Sequence, residues 1–300
     1  MIQKLDMARL LLRDAAEIDR LRTGARDTGF LVVANTALTA RDVERTLAAY
    51  RDFFRRPLPV KRAVDMARTG SNRGWGAPRS ERVDPAANPD YKEVFDCGFE
   101  LPPGDPMAEL PVYAPNLWPD VPGFRDTVQG YYSAACAIAM DLLRAIADAI
   151  GEDAGYFDDR FDRPMALLRG NYYPARPDWA GEKDFGIGAH TDYGCLTLLA
   201  SDGVPGLEVQ GRDGAWTPVE AAPGEFVINF GEMLEMWTGG QVRATPHRVR
   251  GTSDERISIP LFFNPNHDTN VAPLGSDRVI LAGDHLARRF NETYLHLQKN

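Results

Sequence analysis

The chain carries five histidines in 300 residues: His190, His247, His267, His285 and His296. Two of them have neighbours that give them a chemistry. His190-Thr191-Asp192 sets an imidazole and a carboxylate at i and i+2. On an extended chain side chains alternate, so these two project to one face and Thr191 turns away. Together they can bind one ion. His247, within Thr245-Pro246-His247-Arg248-Val249, can join them from a second strand of the same barrel. Two imidazoles and one carboxylate on one side of a metal leave positions open, an arrangement suited to non-haem Fe(II). A 2-oxo acid can chelate through two open positions while dioxygen takes another.

H-x-D by itself is a frequent pattern. Arg256-Ile257-Ser258, a short way after His247, gives it weight. Arg256 and Ser258 again share a face at i and i+2. A guanidinium fork beside a hydroxyl makes a carboxylate receptor.

Short strands must position these residues. After Phe161 the sequence runs through β-rich segments at 166–173, 196–200, 207–209, 216–219, 226–230, 247–250 and 257–263. Gly203, Pro205, Gly211, Gly214, Gly224 and Gly239-Gly240 punctuate them. Many short strands with Gly/Pro turns indicate an all-β sandwich or barrel. The lack of helices of useful length between the strands argues against a parallel α/β sheet. The first half reads differently. Residues 28–35 fit a strand. Thr39-x-x-Asp42 resembles a capping box ahead of Val43, Leu47, Tyr50 and Phe54 at helical spacing, with Pro57 as the stop. Residues 70–105 read as loops with one strand. A second helix spans about 129–150, with Ile138, Leu142 and Ile146 as its stripe and Gly151 as its cap.

Composition bounds the function. Hydrophobic residues make up 44% and charged residues 26%, ordinary for a globular protein with a sizeable core. A net charge of −9 argues against nucleic acid as a partner, since phosphate binding needs a basic surface. Three cysteines, Cys97, Cys136 and Cys195, do not make a disulfide framework and fit a reducing compartment. No run approaches the length of a membrane span, and the charged N-terminus lacks the apolar run of a signal peptide. The expectation is a cytoplasmic protein of undetermined oligomeric state.

Taken together, the blocks resemble the iron(II)/2-oxoglutarate oxygenases of the isopenicillin N synthase type. The resemblance rests on Asn171-Tyr172-Tyr173-Pro174, His190 through Leu199, Gly231-Glu232-Met233-Leu234, Thr245 through Val249, Arg256-Ile257-Ser258-Ile259-Pro260 and Phe262-Phe263-Asn264-Pro265. Thr28-Gly29-Phe30 and Tyr91-Lys92-Glu93-Val94-Phe95 also match, so the likeness covers nearly the whole chain. Glu232 departs from the Asp that relatives often have there, and Gly239-Gly240 from their Asn-Gly.

The resemblance implies a mixed α and β fold: a double-stranded β-helix, or jelly roll, flanked by N-terminal and C-terminal helices. It divides the chain into an N-terminal region (1–115), a helical connection (116–160), a jelly-roll core (161–265) and a C-terminal tail packed on that core (266–300). It implies that His190, Asp192 and His247 bind Fe(II), with no catalytic side chain beyond them. It also implies that Arg256 and Ser258 hold the distal carboxylate of 2-oxoglutarate, with Asn171 and Tyr173 touching the same co-substrate. The activity implied is oxidative decarboxylation of 2-oxoglutarate by dioxygen, coupled to hydroxylation, desaturation or cyclisation of a small molecule. Three other readings stand beside it: a same-fold oxidase without 2-oxoglutarate, an ethylene-forming enzyme, and a non-catalytic jelly-roll binding protein.

Other residues carry weaker expectations. Cys195 lies three positions from Asp192, faces the other way on a regular strand, and reads as a core cysteine. His267 falls in a turn and reads as surface, as do His285 and His296 on a polar C-terminal helix. Arg73, Trp75, Arg79 and Arg82 cluster in the region that covers the barrel mouth in related enzymes, and one arginine there, with Arg73 and Arg79 foremost, is a candidate for binding a substrate carboxylate. Tyr193 and Phe263 are candidates for the pocket wall.

Overall fold

A computed structural model describes residues 2–69, 71–81, 88, 90–176, 178, 181, 186–251 and 253–293. Its strands are β1 (Gln3–Asp6), β2 (Phe30–Ala34), β3 (Gly74–Gly76), β4 (Glu93–Gly98), β5 (Leu167–Tyr173), β6 (Ile187–His190), β7 (Leu196–Ser201), β8 (Leu207–Gln210), β9 (Trp216–Pro218), β10 (Phe226–Phe230), β11 (His247–Val249) and β12 (Arg256–Phe263). The α-helices are α1 (Met7–Leu11), α2 (Ala15–Asp27), α3 (Ala40–Phe54), α4 (Leu58–Arg62), α5 (Phe124–Ile150), α6 (Glu232–Trp237) and α7 (Ala282–Thr293).

Two sheets build the expected jelly roll. The larger runs β1-β2-β10-β7-β12-β5-β4-β3 and the smaller β6-β11-β8-β9. Period-two alternation gives each central strand two different faces. In β12, Ile257, Ile259, Leu261 and Phe263 are buried in the main core, beside α3 and α5. In β5, Gly170 leaves the space that the ring of Tyr50 from α3 fills; a Cβ there would strike that ring. The opposite face looks into the barrel. There Phe30, Tyr173 and Val227 of the large sheet pack with Leu207, Val209 and Val249 of the small one.

The helices follow their sequence signals. Thr39 and Asp42 close the capping box on α3, and the helix stops before Pro57. α5 starts at Phe124, ahead of the expected position, and ends on Gly151 at φ +87°, a left-handed cap that suits glycine. Among the elements that patterning did not reveal are α2, β1 and β6. The buried face of α2 is Glu17, Leu21, Gly24 and Ala25, too sparsely apolar to show a helical stripe.

Candidate active site

β6 and β11 pair antiparallel, with His190 directly opposite His247. The strand stops at His190, so Asp192 arrives from the turn that follows it rather than from an extended face. The Asp192 carbonyl accepts the Glu232 N–H at 2.8 Å, which pins that turn to the start of α6. The ligand atoms of His190, Asp192 and His247 all lie within 4.8 Å of one another. Asp192 Oδ1 stands 3.7 Å from His190 Nε2 and 3.6 Å from His247 Nε2.

The donor set fits a divalent ion. His190 Nδ1 is 2.8 Å from the Gly188 carbonyl and His247 Nδ1 is 3.1 Å from the Thr245 carbonyl. A carbonyl can only accept, so each Nδ1 carries the proton and each Nε2 presents a lone pair. Burial, then the neighbouring His247, pushes His190 down to about 4, which keeps the ring neutral. Asp192 is pushed up by burial, but the two histidines and two hydrogen bonds outweigh this and hold it below the usual range. Those bonds come from Thr197 in β7 and from Asn229 in β10, the latter at 2.7 Å, both to Oδ2. Oδ1 is left facing the histidines.

The four residues expected at the co-substrate form one patch. In the β5–β12 register Arg256 lies opposite Tyr173 and Ser258 opposite Asn171. The Arg256 guanidinium sits 5.2 Å from the centre of the Tyr173 ring. Its Nε donates to the Val204 carbonyl at 3.1 Å, while Nη1 is buried with no partner, as is Asn171 Oδ1. A buried, unmatched guanidinium N–H beside a hydroxyl is what an incoming carboxylate satisfies.

A cavity of about 380 Å³ reaches His190 and Asp192. Tyr193 and Arg73 line it. Phe263 does not. It lies on the core face of β12, stacked on Phe161 at 5.0 Å, and Phe262 of the opposite face lines the cavity instead. Arg79 is exposed, away from the cavity, at φ +66°. Arg82 and His296 fall outside the described residues. Trp75 is buried and donates its indole N–H to Glu93 at 2.7 Å. Two histidines read as surface are not. His267 lines the cavity against Gly283, and His285 is buried with Nε2 3.0 Å from the Tyr193 carbonyl. α7 thus packs against the cavity rather than standing free. Cys195 is a fully buried core residue, as expected.

Comparison with known proteins agrees with this geometry. The profile of the 2OG-Fe(II) oxygenase superfamily matches residues 164–265, and that described as non-haem dioxygenase in morphine synthesis N-terminal matches residues 2–121. A 2-oxoglutarate-Fe(II) type oxidoreductase of Emericella nidulans, hxnY, is 32% identical over 272 residues, covering 85% of this chain and 76% of its own. The chain belongs to the 2-oxoglutarate–Fe(II) oxygenase family. Among solved structures, a full-length Neurospora crassa protein in complex with alpha-KG superposes at TM-score 0.83 with 27% identity, covering 95% of each chain. A 2OG-Fe(II) oxygenase family protein of Caulobacter crescentus superposes at 0.86 with 27% identity, covering 97% of this chain and 98% of that one. This oxygenase is an oxidoreductase whose cofactors are Fe(II) and 2-oxoglutarate.

The oxygenase also contains a buried ionic network that sequence reading passed over. Arg169 in β5 grips Asp96 in β4 with two bonds, at 2.8 and 2.6 Å, and Glu81 at 3.0 and 2.9 Å. Lys92 bonds Glu81 and Asp90, both at 2.9 Å. Asp90 accepts the Gly188 N–H at 3.3 Å, and the Gly188 carbonyl faces His190 Nδ1. The network therefore ends on the backbone that orients a candidate metal ligand. Burial alone would raise Glu81, but Arg169 and Lys92 outweigh it and hold the carboxyl at about 2. One signal was present: Arg169 and Asp96 are charged residues in the middle of strands whose other members are mostly apolar.

Proposed function

We propose that His190, Asp192 and His247 hold the Fe(II) of this oxygenase, and that Arg256, Ser258, Asn171 and Tyr173 receive 2-oxoglutarate. The observation that carries this reading is the convergence of the three donors, with both Nδ1 atoms turned to carbonyls and both Nε2 atoms free. With dioxygen, the bound iron and 2-oxoglutarate supply an oxidant able to remove hydrogen from an unactivated C–H bond, leaving succinate and carbon dioxide. The protein's part is positional. Thr197 and Asn229 fix Asp192, backbone carbonyls fix the imidazoles, and Arg256 with Ser258 aligns the far carboxylate. Arg256 and Tyr173 are buried, which strengthens the charge-assisted bonds available to a ligand there.

The substrate is a small molecule that enters the cavity beside Tyr193 and Phe262, and its oxidation is a hydroxylation, desaturation or cyclisation. Relatives that bind or are named for 2-oxoglutarate favour this over a same-fold oxidase without it. Three free cysteines fit a cytoplasmic setting, and no described helix is long and apolar enough to cross a membrane. The test is an anaerobic titration of the metal-free protein with Fe(II), then 2-oxoglutarate. A metal-to-ligand charge-transfer band on the second addition, absent in Arg256→Ala at the same concentration, supports the assignment. Bound iron with no band in the unmodified protein contradicts it.

A further inference from the structure

Arg73 precedes β3 and is 2% exposed. Its Nη1 donates to the Asn72 carbonyl at 2.8 Å and its Nη2 to the Val112 carbonyl at 2.6 Å, while Nε has no partner. Gly98, at the end of β4, makes room for this side chain; a Cβ there would lie 2.6 Å from the guanidinium carbon. Among the described residues no carboxylate forms an ion pair with Arg73. Asp96, whose charge it feels, is engaged by the two-pronged bond from Arg169. Burial pulls the Arg73 guanidinium below the usual arginine range. A buried guanidinium N–H left without a partner is costly, and an incoming acceptor, a carboxylate above all, satisfies it.

Arg73 lines the same cavity as His190 and Asp192. The adjacent Asn72 also lines it, and its side-chain oxygen is buried without a partner. An asparagine amide can rotate to offer its N–H groups instead, joining the guanidinium in binding an acceptor. The other ionic residues on the wall differ. Glu81, Lys92 and Arg169 bond one another and Asp90 and Asp96, so their charged groups are already engaged within the protein. The rest of the wall is largely apolar, with Val112, Met165, Leu167, Phe262 and Leu286 contributing.

We infer that the substrate of this oxygenase is a small carboxylic acid with an apolar body, whose carboxylate is received by Arg73 while its hydrocarbon part extends toward the metal. The inference rests on the reading of the metal site given above and narrows its substrate class. Arg73 is a specificity-determining residue: a neutral isostere can satisfy the N–H groups, but a carboxylate makes stronger, charge-assisted bonds to the guanidinium.

The experiment is anaerobic calorimetry on the Fe(II)·2-oxoglutarate protein. Phenylacetate, hydrocinnamate and octanoate are each titrated against the matching primary carboxamide, with the charge-transfer band recorded on the same samples. In the unmodified protein at least one acid should bind and perturb the band, roughly tenfold or more tightly than its amide. Arg73→Gln should remove that preference, and Arg73→Lys should restore part of it. Amides that bind as tightly as acids, an Arg73→Gln protein that keeps the preference, or no acid bound at all would each overturn the inference. The comparison of acid with amide needs no variant, so a misfolded Arg73→Gln protein does not blunt it. Failure of the band to form with 2-oxoglutarate is a separate result: it removes the reading of the metal site, and this inference with it.

Discussion

His190 and His247 face each other across one β-pair, their ring centres 4.3 Å apart. A metal pocket on neighbouring strands needs few residues to define it, because the register sets the spacing and each ring is then fixed by one carbonyl. Replacing Asp192 by Ala should abolish iron binding and succinate formation together. Anaerobic metal analysis after desalting checks this, and a variant that retains iron and full turnover would remove Asp192 from the ligand set.

Asp192 does not stand alone. Thr197 and Asn229 both donate to the oxygen that faces away from the histidines. Thr197→Val and Asn229→Leu should each weaken iron affinity by about 10- to 100-fold, the usual effect of losing a bond to a ligand carboxylate. Chelator competition measures it. Unchanged affinity in both variants would mean that the carboxylate orients itself.

Phe262 and Phe263 test the face assignment of β12. Phe263→Ala should cost about 3–5 kcal/mol in chemical denaturation, since its stacked ring is lost from the core. Phe262→Ala, on the cavity side, should cost about 1 kcal/mol or less. Equal losses would mean that the alternation is misassigned.

Glu81 gives a pH dependence with a definite sign. Its folded-state value of about 2 lies below the ordinary 4.5, so the charged form stabilises the fold. That contribution is fully present above the ordinary value and disappears as pH falls through about 2. Glu81→Gln should destabilise the protein by about 3–5 kcal/mol at neutral pH, as expected for breaking a buried pair. The gap from the unmodified protein should narrow steadily as pH drops below the ordinary carboxyl range. Denaturant midpoints across that range decide it, and a gap independent of pH would exclude the carboxylate as its source.

The convergence of His190, Asp192 and His247 was legible because much of the pattern is local. His190 and Asp192 are two residues apart, and Arg256 and Ser258 repeat that spacing in a run that reads as a strand. The run of short β-rich segments indicated a sandwich or barrel, and the family resemblance narrowed it to a jelly roll. Contacts made over long sequence distances were less visible. Nothing near Glu81 tells that it meets Arg169, and nothing near His285 tells that it folds back onto Tyr193. The choice of Phe262 over Phe263 turned on register, which a one-residue shift reverses. Arg73 and Arg79 share composition and neighbourhood, and only their burial separates them.

The origin of the three donors also has a consequence for folding. Both histidines belong to the small sheet, whereas the aspartate is tied by Thr197 and Asn229 to two strands of the large one. An ion joining them is a rivet across the seam of the barrel as well as a reagent. Iron that binds only the closed form adds its binding free energy to the stability of that seam. Without the ion, β6 and β11 would lose that link to the large sheet and keep the bond from Gly188 to Asp90. The metal would then act on the stability of the fold as well as on turnover.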